Sequence, residues 1–182
     1  WANRIAKKYG AFTIGTVGSA GKLDLLREEG YDRGIVRDGD FRSKLEEALE
    51  GRVLHIVLEC IGGSILMDSY KVMGRMGRMI VYGSARYAHP GKKPNYLHLI
   101  KKYLTRPKID PQKMIESNKS IMGFNLIYLF EKADLMHQLL GELEMLSPGR
   151  PMIGHRFAFA ELKEAITLFQ SGNTTGKVVL SV

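Results

Sequence analysis

Cysteine is almost absent from this chain. The single Cys60 rules out an internal disulfide, and the five histidines, His55, His89, His98, His137 and His155, are scattered without zinc-ligand or triad spacing. A reducing, cytoplasmic compartment is expected, with no metal site. Long hydrophobic runs are missing too. No stretch approaches the ~18 apolar residues of a membrane span, and the opening W-A-N-R-I-A-K-K-Y-G mixes charge with apolar residues, unlike a secretory segment. Internal repeats and low-complexity tracts are also absent. What the chain does have is size, at 182 residues enough for one ordinary domain core, and a net charge of +8. That charge points to an anionic partner, whether nucleic acid, a membrane surface or a phosphorylated cofactor, without choosing among them.

The opening segment reads as the last turns of a helix capped by Gly10, with residues expected upstream of Trp1. A-F-T-I-G-T-V is then apolar and β-branched, as in a buried parallel strand, and Gly18-Ser19-Ala20-Gly21 closes it. Lys22 to Glu29 reads as a short helix, Arg33 to Arg37 as a strand nearer the sheet edge, and Phe41 to Leu49 as a helix with Phe41, Leu45 and Leu49 on one face. Val53 to Gly83 combines an apolar run, the paired glycines of E-C-I-G-G, an amphipathic segment and a second apolar run ending in glycine, the pattern of a βαβ crossover.

Four of the six prolines then fall in an excursion with a short helix near Leu97 to Leu104. Regularity returns with an edge strand at Lys119 to Leu126, a helix at Leu135 to Leu146, an extended Met152 to Phe159, a helix at Glu161 to Gln170 and a closing strand at Lys177 to Val182. Alternation at these spacings predicts an α/β fold with a doubly wound, Rossmann-like, mostly parallel sheet. Ligands of such sheets sit outside the carboxyl ends of the strands.

In order, G-T-V-G-S-A-G-K-L-D-L-L, E-C-I-G-G, M-G-R-M-I-V-Y-G, S-I-M-G-F-N-L, F-A-F-A-E-L-K-E-A-I and T-G-K-V-V-L resemble the cofactor half of the zinc-independent medium-chain dehydrogenase/reductases. The branch that the long insert and N-K-S-I-M-G-F-N-L-I-Y-L resemble is the quinone oxidoreductases, particularly the vesicle amine transport protein-like members. The resemblance implies a Rossmann domain over 1–150 with an insert at 86–118, and a return segment at 151–182 toward a GroES-like substrate domain. It also shows what the chain lacks, namely the first strand and the G-x-G-x-x-G turn that cradles pyrophosphate.

The turn after the first strand of this chain carries the cofactor preference. An NAD site has an acidic side chain there to accept from the ribose 2′-hydroxyl. Here the position offers Gly18 and Ser19, with Lys22 beyond, a set that leaves room, a donor and charge for a 2′-phosphate. NADPH is therefore the expected cofactor. The bland alternative is that Ser19 caps the next helix and Lys22 is merely solvated. Relatives with this preference often carry tyrosine after the next strand; this chain has Val36 and Arg37, and Arg37 can substitute electrostatically.

By the same resemblance Cys60, Ile61 and Gly62, with Tyr82, Gly83 and Ser84 from the neighbouring strand end, line the ribose and nicotinamide side, Phe124 packs near the nicotinamide, and Thr175 and Gly176 form the terminal turn toward the cofactor. Residue by residue, Cys60 reads as a small buried side chain rather than a reactive thiol, while Phe124 reads equally as core and Thr175-Gly176 equally as a simple loop. Glu59 stands where relatives usually have Asp.

The implied reaction is hydride transfer from NADPH to a quinone or activated enone, with no catalytic residue expected in this chain. A homodimer through Ile121 to Asn125 is implied as well. Two alternatives stay open. One is a non-catalytic or peripheral adaptor whose basic insert 92–119 (Lys92, Lys93, Lys101, Lys102, Arg106, Lys108, Lys113) lies on an anionic membrane surface. The other is an enoyl reductase segment of a larger synthase. Nucleic-acid binding is not expected, since no reader motif accompanies the charge.

Overall fold

The computed structural model describes residues 1–87 and 95–182. His89, Lys92 and Lys93 lie outside them. Helix α1 (Ala2–Lys8) ends at Gly10, whose φ of 69° turns the chain into β1 (Ile14–Val17). A single 3₁₀ turn at Ala20–Lys22 leads into α2 (Leu23–Glu28), followed by β2 (Arg33–Val36) and α3 (Phe41–Leu49). The central crossover is β3 (Ile56–Glu59), α4 (Gly63–Val72) and β4 (Arg78–Val81). After it come α5 (Tyr96–Leu104), α6 (Pro111–Ser117), β5 (Ser120–Gly123), α7 (Ala133–Leu146), β6 (Ile153–Ala158), α8 (Leu162–Gln170) and β7 (Lys177–Ser181).

Every strand pair is parallel, but the strands form three ladders rather than one sheet: β1-β2, β3-β4-β5 and β6-β7. In a doubly wound sheet of order 3-2-1-4-5-6 the first strand lies between the second and the fourth. Among the described residues no ladder joins β1 to β3, and the fold is an α/β Rossmann arrangement with its two halves divided there. One core nevertheless crosses the break. Phe41, 2 % exposed, packs with Ile35, Leu45 and Ala48 against Ile14 of the first half and Leu54, Ile65 and Val72 of the second. Leu54 also joins the cluster of Leu66, Met73 and Met79 beneath the second half.

Helix α2 sits close against its sheet because Gly15 carries no side chain; a Cβ there would come within 2.7 Å of Leu26 Cδ2. Helix α1 fastens the distal end of the chain. Trp1 Nε1 donates to the Gly149 carbonyl at 2.9 Å, Arg4 Nη1 to those of Pro148 and Arg150 at 3.1 and 2.8 Å, and Lys8 Nζ to that of Leu146.

The excursion holds one helix more than its prolines predict. In α6, Asp110 caps the first turn, accepting from Gln112 N at 3.0 Å, and Pro111 takes the first helical position, where its missing N–H costs nothing.

Candidate functional site

Because the strands run parallel, the carboxyl ends of β3, β4 and β5 share one edge, and those of β1 and β2 share another beside it. Hydrogen bonds join the predicted residues of the second half. Glu59, 3 % exposed, folds its carboxylate back over the turn that follows β3, and Oε1 accepts from Ile61 N at 2.9 Å and Gly62 N at 2.8 Å. Its Oε2 is buried without a partner. Ala85 N donates to the Cys60 carbonyl at 2.7 Å and Arg86 N to that of Ile61 at 2.8 Å, so the turn after β4 is stapled onto the turn after β3. Cys60, Ile61 and Gly62 thereby meet Tyr82, Gly83 and Ser84.

Gly62, at φ 84°, leaves its Cβ side to others; a Cβ would stand 3.0 Å from Arg86 Cδ and 3.4 Å from Ser84 Oγ. Cys60 is partly buried beside Gly83, and the Cys60 thiol, with partial burial, pushes the Tyr82 hydroxyl up to about 12. Tyr82 is a neutral donor at any physiological pH. Phe124 closes this edge, with its N–H on the Val81 carbonyl at 2.9 Å, and the residue is 45 % exposed at the strand end rather than sunk in the core.

In the first half, Ser19 is extended and does not cap the next helix. Arg37 reaches back across the strand ends: Nη1 donates to the Thr16 carbonyl at 2.6 Å and Thr16 Oγ1 at 2.9 Å, while Nη2 lies 3.5 Å from where a Gly18 Cβ would be. Burial pushes the guanidinium below its ordinary value, and Cys60 and Glu59 of the second half pull it back up. Gly18 and Arg37 together form a cationic corner, bare of side chain at Gly18, with no carboxylate in the turn.

Lys22 is not merely solvated. Its Nζ donates to the Gly172 carbonyl at 2.8 Å and the Thr174 carbonyl at 3.0 Å, which brings the turn holding Thr175 and Gly176 against the turn after β1. That contact joins residues 150 positions apart, and neither it nor Arg86 is marked by any local sequence pattern. Arg86 Nη2 donates to the Lys102 carbonyl at 2.9 Å and Thr105 Oγ1 at 3.3 Å, and its Nη1 is buried without a partner. Nothing in the local pattern of A-R-Y marks it.

Lys119, counted at the end of the basic insert, donates instead to the Tyr70 and Lys71 carbonyls at 2.8 and 3.1 Å, capping α4. The open depression of about 380 Å³ there, lined also by Lys113 and Glu116, lies at the amino ends of β4 and β5, away from the carboxyl edge.

The profile of one family, described as zinc-binding dehydrogenase, matches residues 1–141. The chain belongs to the zinc-binding dehydrogenase family. Within that family it is similar to the synaptic vesicle membrane protein VAT-1 homolog of Danio rerio, 26 % identical over 187 residues that cover 99 % of this chain and 38 % of that protein. It is similar also to the reducing polyketide synthase rdc5 of Metacordyceps chlamydosporia, 28 % identical over 185 residues, 99 % of this chain and 7 % of that one. Among solved structures, the quinone oxidoreductase of Thermus thermophilus, determined with and without NADPH, superposes with a TM-score of 0.76 at 23 % identity, covering 100 % of this chain and 53 % of that one.

These likenesses uphold the vesicle-protein resemblance and the Rossmann architecture. The chain spans about two fifths of the vesicle protein and about half of the oxidoreductase. Despite the zinc in the family's description, no three His, Cys, Asp or Glu side chains converge among the described residues, so these residues do not fit a zinc ion. No described helix is long and apolar enough to cross a membrane.

Proposed function

We propose that the chain supplies most of the cofactor-binding domain of an NADPH-dependent reductase that passes hydride to a quinone or activated enone. The observation that carries this reading is the corner at the end of β1. Gly18 and Ser19 stand where an NAD site needs a carboxylate, and Arg37 Nη2 faces Gly18. The donor set fits a 2′-phosphate: a fixed guanidinium, a hydroxyl not spent on capping, and the Lys22 ammonium. Cys60, Ile61, Gly62, Tyr82, Gly83, Ser84 and Phe124 would hold the ribose and nicotinamide, with Tyr82 as a neutral hydrogen-bond donor. NADPH, when bound, supplies the hydride. We assign residues 1–150 to the nucleotide and 151–182 to the return toward a substrate domain.

Isothermal titration of the protein with NADPH and NADH tests the reading. We expect NADPH to bind at least tenfold more tightly, in keeping with a charge-assisted contact of about 1.5–3 kcal/mol. Equal affinity, or no binding of either, overturns the NADPH assignment. The similarity to a reducing polyketide synthase supports an enoyl reductase variant of the same chemistry, which activity on an enoyl thioester but not on a quinone would establish.

A second reading, as a peripheral adaptor on an anionic membrane, is favoured by α5, where Leu97, Ile100 and Leu104 are exposed on one face beside Lys101 and Lys102. Vesicle sedimentation decides it, since binding without dependence on anionic lipid, or no binding, counts against it.

A further inference from the structure

We infer that the hollow where α4 and α6 end beside β5 is a second anion site, one that takes the phosphomonoester group of a small molecule. It is the open depression of about 380 Å³ lined by Tyr70, Lys71, Lys113, Glu116, Ser117 and Lys119. Three ammonium groups face one carboxylate there, and none of the four forms an ion pair among the described residues. The hollow lies at the amino ends of β4 and β5, so it is independent of the NADPH reading.

Its walls are tied to one another. Lys119 N donates to the Met114 carbonyl at 3.2 Å, closing α6 onto the start of β5, and Met76 N donates to the Asn118 carbonyl at 2.7 Å, fastening that junction to the loop after α4. Lys119 is set in place before a ligand arrives. Its Nζ donates to the Tyr70 and Lys71 carbonyls at 2.8 and 3.1 Å and lies 5.2 Å from the centre of the Tyr70 ring. This ammonium meets the negative end of α4, so the helix pole does not stand against an incoming anion, and the charges of Lys71 and Lys113 together exceed that of Glu116. Burial pushes Lys119 below its ordinary value, and an anion alongside would bring it back up. The lining holds no guanidinium, whose fork matches a planar carboxylate. Compact ammonium groups with three donors each suit instead the tetrahedral oxygens of a phosphomonoester, which carries about −1.5 to −2 at pH 7.

The test follows amide chemical shifts of the whole protein by nuclear magnetic resonance during titration with glycerol 3-phosphate and, at matched ionic strength, with sodium chloride. We expect saturable shifts at Lys71 and at residues 113–119 with the ester and none with chloride. Lys71→Met combined with Lys113→Met, which leaves the Lys119 cap of α4 in place, should weaken binding roughly tenfold. Glu116→Gln removes the opposing charge and should tighten binding roughly two- to fivefold, the size of one exposed charge interaction and a gain that misfolding cannot produce. Vesicles of phosphatidylcholine with phosphatidic acid present the same group on a surface, and sedimentation with them separates a lipid source from a soluble one. Shifts confined to Gly18, Ser19 and Arg37 overturn the inference and leave the NADPH reading standing. Equal shifts with chloride, an affinity unchanged by the double substitution, or binding to the vesicles without binding of the soluble ester overturn it as well.

Discussion

In the NADPH reading proposed above, Arg37 is the side chain that would decide between the two cofactors. Its guanidinium is fixed by two hydrogen bonds to Thr16, so little rotamer freedom remains to be lost when an anion arrives. Burial already disfavours its charge, which a phosphate would restore. Replacing it with methionine keeps the aliphatic packing and removes one charge-assisted contact of about 1.5–3 kcal/mol. We therefore expect Arg37→Met to weaken NADPH binding by roughly 10- to 100-fold while NADH affinity stays within about twofold. Titration of both cofactors on the variant measures the ratio, and equal losses for the two would show that Arg37 acts on the fold and not on the phosphate. Glu59 is a different case. Its carboxylate works inward on the amides of Ile61 and Gly62 and organises the turn rather than presenting itself to a ligand.

Between elements, Asp32 ties three segments together. It receives Lys7 Nζ from α1 on both oxygens at 2.8 Å, and Thr13 N and Oγ1 from the approach to β1 at 2.7 and 3.1 Å. The bonds from Lys7 and then Thr13 lower its pKa from 3.8 to about 2. A depressed carboxylate contributes stability that is fully present above its unfolded value and is lost as pH falls through its folded one. Asp32→Asn should thus cost on the order of 1 kcal/mol at pH 7, after solvent screening of a surface pair. The gap from the parent should hold constant down to about pH 5 and close toward pH 2. Denaturant midpoints across that range check it, and a gap that persists at pH 2 would place the effect in packing.

Elements of this length were legible because periodicity and punctuation agreed, as in α3, whose Phe41, Leu45 and Leu49 recur every four residues. Helix α6 is hidden in the sequence although Asp110-Pro111 is a strong helix start, because the prolines around it read as loop. The carboxyl-edge residues were legible as turns. The Lys22 grip on Gly172 and Thr174 was not, since a contact across 150 positions leaves no local pattern.

At the scale of the whole molecule, β5 is the outer strand of its ladder among the described residues, and its free edge is where we expect a second copy to attach. Ser120 N donates to Gly77 and Phe124 N to Val81, so by the alternation of a parallel ladder the N–H groups of Ile121 and Gly123 point away from β4. Met122 and Phe124 stay partly exposed beside that edge. An unpaired edge with apolar neighbours invites pairing with a second chain, and an isologous contact of two β5 strands would close as a dimer. Gly123→Pro discriminates this from association through the exposed α5 face. It removes one outward N–H and leaves the β4 ladder intact, and a Cβ at Gly123 meets nothing within 4 Å. We expect sedimentation equilibrium to report a dimer for the parent and a folded monomer for Gly123→Pro, with unchanged circular dichroism. A variant that remains dimeric would move the interface off β5, and the next substitution to make is Leu97→Lys on α5.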